Sequence, residues 1–558
     1  MKHLLILLLL FTIGPQVVGQ DHSVEIDRLF SEWDSVEGPG ASVAVIKDGN
    51  IVFSRGYGAA NIEYAIPNSP SSIFHVASVS KQFTVYAVML LVQDGKVSWA
   101  DDIREHIPEI PDFGHKITLK HLATHTSGMR DQWNLLAAAG WRMDDVITKD
   151  QVIRLLARQE ELNFEPGEEY LYCNSGFTLL AEVVARVSGM TFDEFTKERM
   201  FDPLEMPSTF FYENHRRIVP NRAYSYIGEN GAYEKGALNY ANAGATSLFT
   251  TAEDLCTWAH HMNNPTEKPA DFINEMSTPA TLNNGETFGG AMGQFVNEYQ
   301  GHKQIQHGGA DAGYRSYLGR FPEQQLAVAV VSNYGNFNPT QKALEIASLY
   351  LDPMGDAPEG TEETQSGFVE REFVKMSKSE LKEFEGTYWN EESGYSRRLY
   401  VNDEGQLMYN RGGNNESELK PVHASTLQMQ DVEVDLLITF EQTADTRTMI
   451  VTIDGGEPIM STEYTPVDHT SDELEQFTGI YYSPELDADY RLHVAKDTLT
   501  ASHLRTGDVK LNGVRDDRFS GDRWYMGTVE FERDGNGNVS GFRMTSGRVR
   551  NLKFDKVE

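Results

Sequence analysis

The sequence has little cysteine and little positive charge, and each scarcity excludes a class of protein. Only Cys173 and Cys256 occur in 558 residues, so no disulfide framework holds the chain together, although a single bridge between the two is possible. Lysine and arginine number 48 against 83 aspartates and glutamates, which gives a formal net charge of -35. An acidic surface of this kind repels phosphate backbones, so we expect no nucleic acid partner.

Long hydrophobic runs are also scarce, and the one that exists lies at the N-terminus. Residues 4–13 are almost all apolar and follow a basic start. This run is shorter than the roughly 20 residues that cross a bilayer, and the small residues up to Gly19 are typical of a signal peptidase cleavage site. We therefore expect residues 1–19 to be a signal peptide and the protein to be secreted or periplasmic, with no stable membrane anchor.

Metal-binding patterns are missing from the sequence as well. His121 and His125 are four residues apart, as in helical zinc sites, but Leu122 stands where the H-E-x-x-H pattern needs its glutamate. We interpret both histidines as structural. Two cysteines without clustered histidines do not supply the four ligands of a structural zinc site. We expect neither a metal nor a cofactor.

The length of the chain predicts several folded units, the first of them over residues 20–352. Strand-like and helix-like segments alternate there, and one strand pair is closed by an Asp-Gly turn. This mixture predicts an α+β domain in which helices flank an antiparallel sheet. The predicted strands are Ala41–Lys47, Ile51–Arg55, Tyr314–Phe321 and Leu326–Ser332, and the clearest helices are Lys81–Gln93, Lys149–Gln159 and Phe177–Val187.

Residues 353–369 have no apolar periodicity and predict a linker. Short alternating strands with frequent Gly, Asn and Asp turns follow, over residues 370–466 and 467–558. The two stretches repeat each other, which predicts two similar β domains; each is long enough for a closed eight-stranded antiparallel barrel, with an open sandwich as the alternative. Leu381, Phe384, Gly386 and Tyr388 are matched at one constant offset by Leu474, Phe477, Gly479 and Tyr481.

The first candidate catalytic element is Ser78-Val-Ser-Lys81, at the start of a predicted helix. Residues three apart share one helix face, so the lysine amine can reach the serine hydroxyl. The helix N-terminus favours developing negative charge, and burial would lower the proton affinity of the lysine. The spacing alone is a weak signal, because Ser379 and Lys382 repeat it where a solvated surface is the natural interpretation.

The second element is Tyr172 with Asn174, in an extended segment that gives way to a helix. On extended backbone, residues two apart point to the same side, so a phenol and an amide could face Ser78 together. The alternative is a core tyrosine followed by a helix-capping asparagine.

The third element is His307, followed by Gly308, Gly309 and Ala310. Glycines allow close approach of a ligand to the backbone. A strand edge here could bind an extended peptide and supply an oxyanion donor. The alternative is a glycine-rich turn with an incidental histidine.

In this order and separation the three elements resemble the penicillin-recognising serine hydrolases, the superfamily of class C β-lactamases, DD-peptidases, D-aminopeptidases and related esterases. The resemblance runs from about residue 24 to residue 350 and implies a β-lactamase-like fold. It implies that Ser78 is the acylated nucleophile, Lys81 its general base and Tyr172 the proton shuttle to the leaving group. It also implies that Asn174 binds a substrate amide, that His307 occupies the third-motif position beside Gly308 and Gly309, and that the N–H groups of Ser78 and Ala310 form the oxyanion hole.

Histidine at the third-motif position, where β-lactamases usually have lysine, favours the peptidase and esterase branches of this superfamily. The layout with two C-terminal β domains is similar to that of the D-aminopeptidases. We therefore expect hydrolysis of a peptide or amide bond next to a D-amino acid, of D-aminopeptidase or DD-peptidase type. A carboxylesterase, a β-lactamase and a noncatalytic protein that binds wall peptides or penicillin are the alternatives, and the expected partner is a small peptide, amide or ester.

One segment of the second β domain is a candidate for contact with the active site. Arg505 to Asp508 form a polar loop that could reach the catalytic domain, although a surface turn is the simpler interpretation.

Overall fold

The computed structural model describes residues 21–352 and 371–557, except for 230 and 265–269 and, in the first β domain, 392–393, 413–414, 431, 433, 444–445, 454–455 and 457. The expected signal peptide, residues 1–19, and the expected linker, residues 353–369, lie outside the described residues. Within the described part of the chain, no helix combines the length and the apolar character needed to cross a membrane.

The N-terminal part is an α+β domain, as predicted. Its helices are α1 Ser23–Leu29, α2 Ser80–Gln93, α3 Ile103–His106, α4 Leu119–Ala123, α5 Gln132–Ala138, α6 Lys149–Leu156, α7 Asn174–Ser188, α8 Phe192–Thr196, α9 Ala252–Asn263, α10 Ala270–Met276 and α11 Pro339–Tyr350, with 3-10 turns at Ser31–Trp33 and Ala77–Val79 and a π-helical turn at Lys197–Phe201. Its strands are β1 Ala41–Lys47, β2 Asn50–Tyr57, β3 Ala59–Asn61, β4 Ile66–Pro67, β5 Phe74–His75, β6 Phe210–Phe211, β7 Tyr226–Glu229, β8 Ala232–Lys235, β9 Leu248–Thr250, β10 Phe295–Tyr299, β11 His302–Asp311, β12 Tyr314–Phe321 and β13 Leu326–Ser332.

Six of these strands form one antiparallel sheet in the order β10-β11-β12-β13-β1-β2. The central strands β1 and β13 are apolar at nearly every position because helices cover both faces of the sheet. On β1, Val43 and Val45 pack with α1 and α11, whereas Ala44 and Ile46 pack with the larger helical layer. The second layer contains α2, in which every residue from Ser80 to Leu91 is buried.

The C-terminal part consists of two closed eight-stranded antiparallel barrels, so the sandwich alternative is wrong. The residues of the sequence repeat are equivalent in the two barrels: Tyr388 and Tyr481 are both fully buried. Short helices, α12 Lys378–Leu381 and α13 Ser471–Leu474, each with a 3-10 turn, precede the barrels. The strands of the first are β14 Gly386–Asn390, β15 Tyr395–Val401, β16 Leu407–Asn410, β17 Glu416–His423, β18 Thr426–Met429, β19 Leu436–Gln442, β20 Arg447–Ile453 and β21 Ile459–Glu463, and those of the second are β22 Gly479–Ser483, β23 Ala488–Ala495, β24 Thr498–His503, β25 Gly507–Arg515, β26 Arg518–Arg523, β27 Met526–Arg533, β28 Val539–Ser546 and β29 Val549–Lys556.

Cys173 and Cys256 are both buried and unbonded, so the possible bridge between them is not formed. Burial raises the pKa of the Cys173 thiol to about 12, so it stays protonated and inert. The fold is therefore held by noncovalent contacts in the described part of the chain.

The second barrel packs directly against the α+β domain. The two share one continuous buried apolar cluster, while the first barrel has a cluster of its own. At the centre of the contact Arg130 pairs with Glu485, and both side chains are almost completely buried. The same carboxylate accepts a hydrogen bond from the backbone N–H of Glu160 at 2.9 Å, just beyond the point where α6 ends, three residues earlier than predicted.

We expect Glu485→Gln to destabilise the full-length protein by about 3 kcal/mol, because among the described carboxylates the buried Arg130 cation then keeps only the half-exposed Glu161, at 3.6 Å. Asp487→Asn is the matched control: this neighbouring carboxylate pairs with Arg158 at a half-exposed position, where the loss costs less than about 1 kcal/mol. Thermal unfolding midpoints of the two variants and the wild type measure the difference. Equal midpoints for the two variants would show that the buried pair does not hold the barrel in place.

Candidate active site

Ser78 lies in the 3-10 turn Ala77–Val79, which runs directly into α2. The residue before it, Ala77, has a φ of 45°, a left-handed conformation that is uncommon for alanine and is typical of functional turns. Strand β11 packs closely against this turn. A Cβ on Gly309 would lie only 2.4 Å from the carbonyl oxygen of Val76. Glycine at 309 is therefore required for the strand to reach the serine.

The amine of Lys81 lies beneath Ser78 in a fully buried position. It donates to the Oγ of Ser78 at 2.9 Å, to the Oδ1 of Asn174 at 2.9 Å and to the carbonyl oxygen of Ala245 at 2.8 Å. Burial lowers the pKa of Lys81 to about 7; the Asp311 carboxylate opposes this shift and the Arg548 guanidinium adds to it. A large fraction of the amine is thus neutral near pH 7 and can accept a proton.

Asn174 is held in place by a buried carboxylate that sequence reasoning missed. Asp131 accepts hydrogen bonds at one oxygen from the backbone N–H of Asn174 at 2.7 Å and from its Nδ2 at 2.8 Å. Its other oxygen accepts from the N–H of Trp133 and caps α5. An aspartate directly before an apolar run is an N-cap signal, but nothing in that signal indicates a second role.

Tyr172 lines the same site and remains a phenol. Burial raises its pKa well above the usual range, and an interaction with the Ser78 hydroxyl only partly opposes the rise. Its ring lies 4.8 Å from the amine of Lys81 and stacks on His125, with 4.2 Å between ring centroids. The interpretation of Tyr172 as a simple core residue is therefore wrong, since its side chain borders an open cavity.

His125 orients the segment from Tyr172 to Asn174. Its Nδ1 accepts a hydrogen bond from the backbone N–H of Cys173 at 2.9 Å, directly between Tyr172 and Asn174. Burial and the nearby Lys81 lower the pKa of His125 well below its usual range, so the ring is neutral. No sequence pattern indicates this positioning role, because the contact joins residues 48 apart.

His307 lies in strand β11, so the alternative of a glycine-rich turn is wrong. Its Nδ1 donates to the carbonyl oxygen of Gly308 at 2.6 Å, which leaves Nε2 as a buried acceptor with no partner in the described protein. Burial lowers the pKa of His307 to about 3. The third-motif position is thus uncharged across the neutral range.

A cavity of about 500 Å³ joins these groups. Its lining includes every sequence-predicted site residue except Lys81, which lies under its floor; these are Ser78, Tyr172, Asn174, His307, Gly308, Gly309 and Ala310.

Three charged residues that line the cavity were not predicted from the sequence: Asp311, Arg315 and Arg548. Asp311 accepts hydrogen bonds from Thr246 and from the Nε2 of His75, the latter at 3.0 Å. Arg548 enters from the second barrel and lines the cavity beside Tyr172. Arg505, the residue of the barrel loop considered above, instead pairs with Asp145 at 2.7 Å on the surface of the α+β domain.

Metal ligation finds no support among the described residues, which contain no group of three or more His, Cys, Asp or Glu side chains placed to hold an ion. His121 has a local role instead: its Nδ1 accepts from the N–H of Thr118 in the box that caps α4.

A serine hydroxyl in contact with a buried lysine of lowered pKa, beside a protonated phenol, defines a serine hydrolase that works by acyl transfer. The Beta-lactamase family model matches residues 27–350, and the chain belongs to that family.

Individual relatives are similar over half of the chain or more. A D-aminopeptidase of Gluconobacter oxydans is 24% identical over 543 residues, which cover 93% of this chain and 96% of the relative. A D-aminopeptidase of Brucella anthropi is 26% identical over 53% of this chain and 56% of its own length. The octameric penicillin-binding protein homologue from Pyrococcus abyssi has the same fold, with a TM-score of 0.54 and 23% identity over 80% of this chain and 100% of its own.

We expect the rate at which a serine-directed phosphonate labels Ser78 to rise about tenfold per pH unit below pH 7 and to level off above it. The reason is that protonated Lys81 cannot accept the serine proton, and its pKa is about 7. Labelling rates between pH 5 and pH 9 measure this midpoint. In His307→Gln the midpoint should stay in place, because His307 does not titrate in this range; a labelling rate independent of pH would exclude Lys81 as the base.

Proposed function

We propose that this protein hydrolyses peptide or amide bonds next to a D-amino acid through an acyl-enzyme on Ser78. The observation that carries the proposal is the contact of 2.9 Å between the Ser78 hydroxyl and the buried amine of Lys81, whose pKa is about 7. Similarity to two D-aminopeptidases, one of them along nearly the whole chain, supports the substrate class.

In the acylation step neutral Lys81 takes the proton of Ser78 as the serine oxygen attacks the substrate carbonyl. The negative charge that develops on the carbonyl oxygen lies at the start of α2, between the backbone of Ser78 and strand β11. We assign the oxyanion donors to the N–H groups of Ser78 and Ala310. Asn174, fixed by Asp131, is placed to bind an amide of the substrate next to the reacting carbonyl.

The leaving amine needs a proton before the carbon–nitrogen bond breaks. Tyr172 suits this role, because its raised pKa keeps it a phenol and its ring lies close to both Ser78 and Lys81. The proton taken by Lys81 can replace the one that Tyr172 gives away. Water then attacks the carbonyl carbon of the acyl-enzyme while Lys81 accepts a proton from the water. Lys81 returns this proton to the Ser78 oxygen as the ester bond breaks and the acid is released.

The neutral ring of His307 favours an amide or ester substrate over a β-lactam, since the family position that is a lysine cation in β-lactamases carries no charge here. Its free Nε2 can accept a hydrogen bond from a substrate N–H. A noncatalytic binding protein has no need of a lysine held at a pKa of about 7.

We also propose that the N-terminal apolar run directs export, which would place the protein where small peptides of the cell wall occur. The substrates that we propose are D-amino acid amides and short peptides that contain a D-amino acid.

Turnover of D-alanine p-nitroanilide by purified protein tests the proposed function. We expect release of p-nitroaniline by the wild type and a loss of about 10⁴-fold or more in Ser78→Ala, which removes the nucleophile. Ser379→Ala is the matched control, because this exposed serine repeats the Ser-x-x-Lys spacing on helix α12, which precedes the first barrel.

Two other substrates separate the alternatives. Turnover of p-nitrophenyl butyrate without any turnover of the anilide would move the function to an esterase, and turnover of a chromogenic cephalosporin alone would move it to a β-lactamase. A wild type as inactive as Ser78→Ala on all three substrates would contradict the proposal.

A further inference from the structure

A hairpin of the second barrel delivers an arginine to the active-site cavity. Gly547 and Arg548 connect β28 to β29, and the α+β domain binds the backbone of this connection. The carbonyl oxygen of Arg548 accepts hydrogen bonds from the backbone N–H of Asp131 at 3.2 Å and from the Nδ2 of Asn163 at 3.0 Å. Asn134 donates to the carbonyl oxygen of Ser546 at 3.2 Å, so the position of the hairpin is fixed on both sides of Gly547.

The guanidinium of Arg548 has no carboxylate of the described residues within hydrogen-bond distance. It lies over the ring of Tyr172, 4.7 Å from the centroid, and its side chain is 42% exposed to the cavity and solvent. The nearest carboxylate oxygen in the described residues belongs to Asp131, at 4.0 Å, beyond hydrogen-bond distance. That oxygen already accepts the two hydrogen bonds from Asn174.

Neighbouring arginines on the same strands have the opposite arrangement. Arg550 pairs with Glu169 at 2.9 Å, and Arg543 pairs with Glu532 at 2.9 Å and with Glu161 at 3.1 Å. Of these three arginines only Arg548 lines the catalytic cavity, and its contact with a carboxylate is the longer one, 4.0 Å to Asp131. In a chain with a net charge of -35, a cation placed there counters the repulsion that an anionic substrate would meet.

The location of Arg548 indicates which end of the substrate it meets. Tyr172 stands where the leaving amine must receive its proton, and Arg548 lies on the face of that ring. A guanidinium binds a carboxylate through two parallel hydrogen bonds. We propose that Arg548 binds the carboxylate of the departing amino acid, so that the preferred substrates are short peptides with a free C-terminal carboxylate next to the cleaved bond rather than simple amides.

This inference rests on the proposed function and narrows its substrate class. The chemistry is ordinary amide hydrolysis: the acyl group transfers to Ser78, the amine leaves with a proton from Tyr172, and water releases the acid. Arg548 takes part only by holding the carboxylate of the leaving group, which makes it a specificity residue.

The test compares D-alanyl-D-alanine with D-alanyl-D-alanine amide, which differ only in the terminal carboxylate. A charge-assisted hydrogen bond predicts that the wild type prefers the free acid by about 10- to 100-fold in kcat/KM. In Arg548→Gln we expect the ratio of the two kcat/KM values to fall close to one, and in Arg548→Lys part of the preference should remain. The N-acetylated forms of both substrates are measured alongside, so that a blocked amino terminus is covered.

The ratio isolates the proposed contact from other effects of the substitution. Loss of Arg548 also changes the electrostatic surroundings of Lys81, but that change acts on both substrates and cancels in the ratio. Arg550→Gln is the matched control, because it removes one positive charge from the same hairpin outside the cavity, and its ratio should equal that of the wild type.

Each outcome decides the matter. A preference for the free acid that persists unchanged in Arg548→Gln would overturn the assignment of Arg548, and equal turnover of acid and amide by the wild type would overturn the substrate class. If the wild type cleaves the amide and D-alanine p-nitroanilide in a Ser78-dependent manner while this happens, the proposed function stands and only the inference fails. No Ser78-dependent turnover of any of these substrates would instead overturn the proposed function, and the inference with it.

Discussion

Burial of the Lys81 amine is the constraint on which the catalytic site depends. An ammonium group loses its hydration there, and three neutral oxygens from Ser78, Asn174 and Ala245 replace the water without supplying a counter-charge. The proton is therefore held weakly, and the same geometry that weakens it points the amine at the serine. An apolar helix such as α2, buried almost from end to end, is what allows a lysine to be placed so deeply.

The second barrel contributes a residue, Arg548, to the active-site cavity. It shares an apolar core with the α+β domain, and the buried pair of Arg130 and Glu485 fixes its position at the contact. Next to Arg130 in the chain, Asp131 binds Asn174 on one side and the backbone of Arg548 on the other. One short segment thus couples the placement of the barrel to the placement of the catalytic amide.

Several features could be predicted because they depend on residues close together in the chain. The strands Tyr314–Phe321 and Leu326–Ser332 have the bounds expected from their apolar runs, and Ser78 contacts Lys81, three residues further along the chain, as their spacing predicts. Tyr172 and Asn174 were found from their spacing and from resemblance to a family. The end of α6 was predicted three residues too late, because residues beyond Leu156 turn to meet Glu485, a partner more than 300 positions away.

By itself, then, the sequence determined the periodic elements, the repeat that becomes two barrels and the residue types of the acyl-transfer site, since all of these are local or repeated patterns. Only the tertiary structure decided the pKa of Lys81, the neutral state of His307, the support of Tyr172 by His125 and the entry of Arg548 into the cavity. The physical reason is that burial and through-space contact set these properties. They depend on how distant segments pack, and no spacing along the chain encodes that packing.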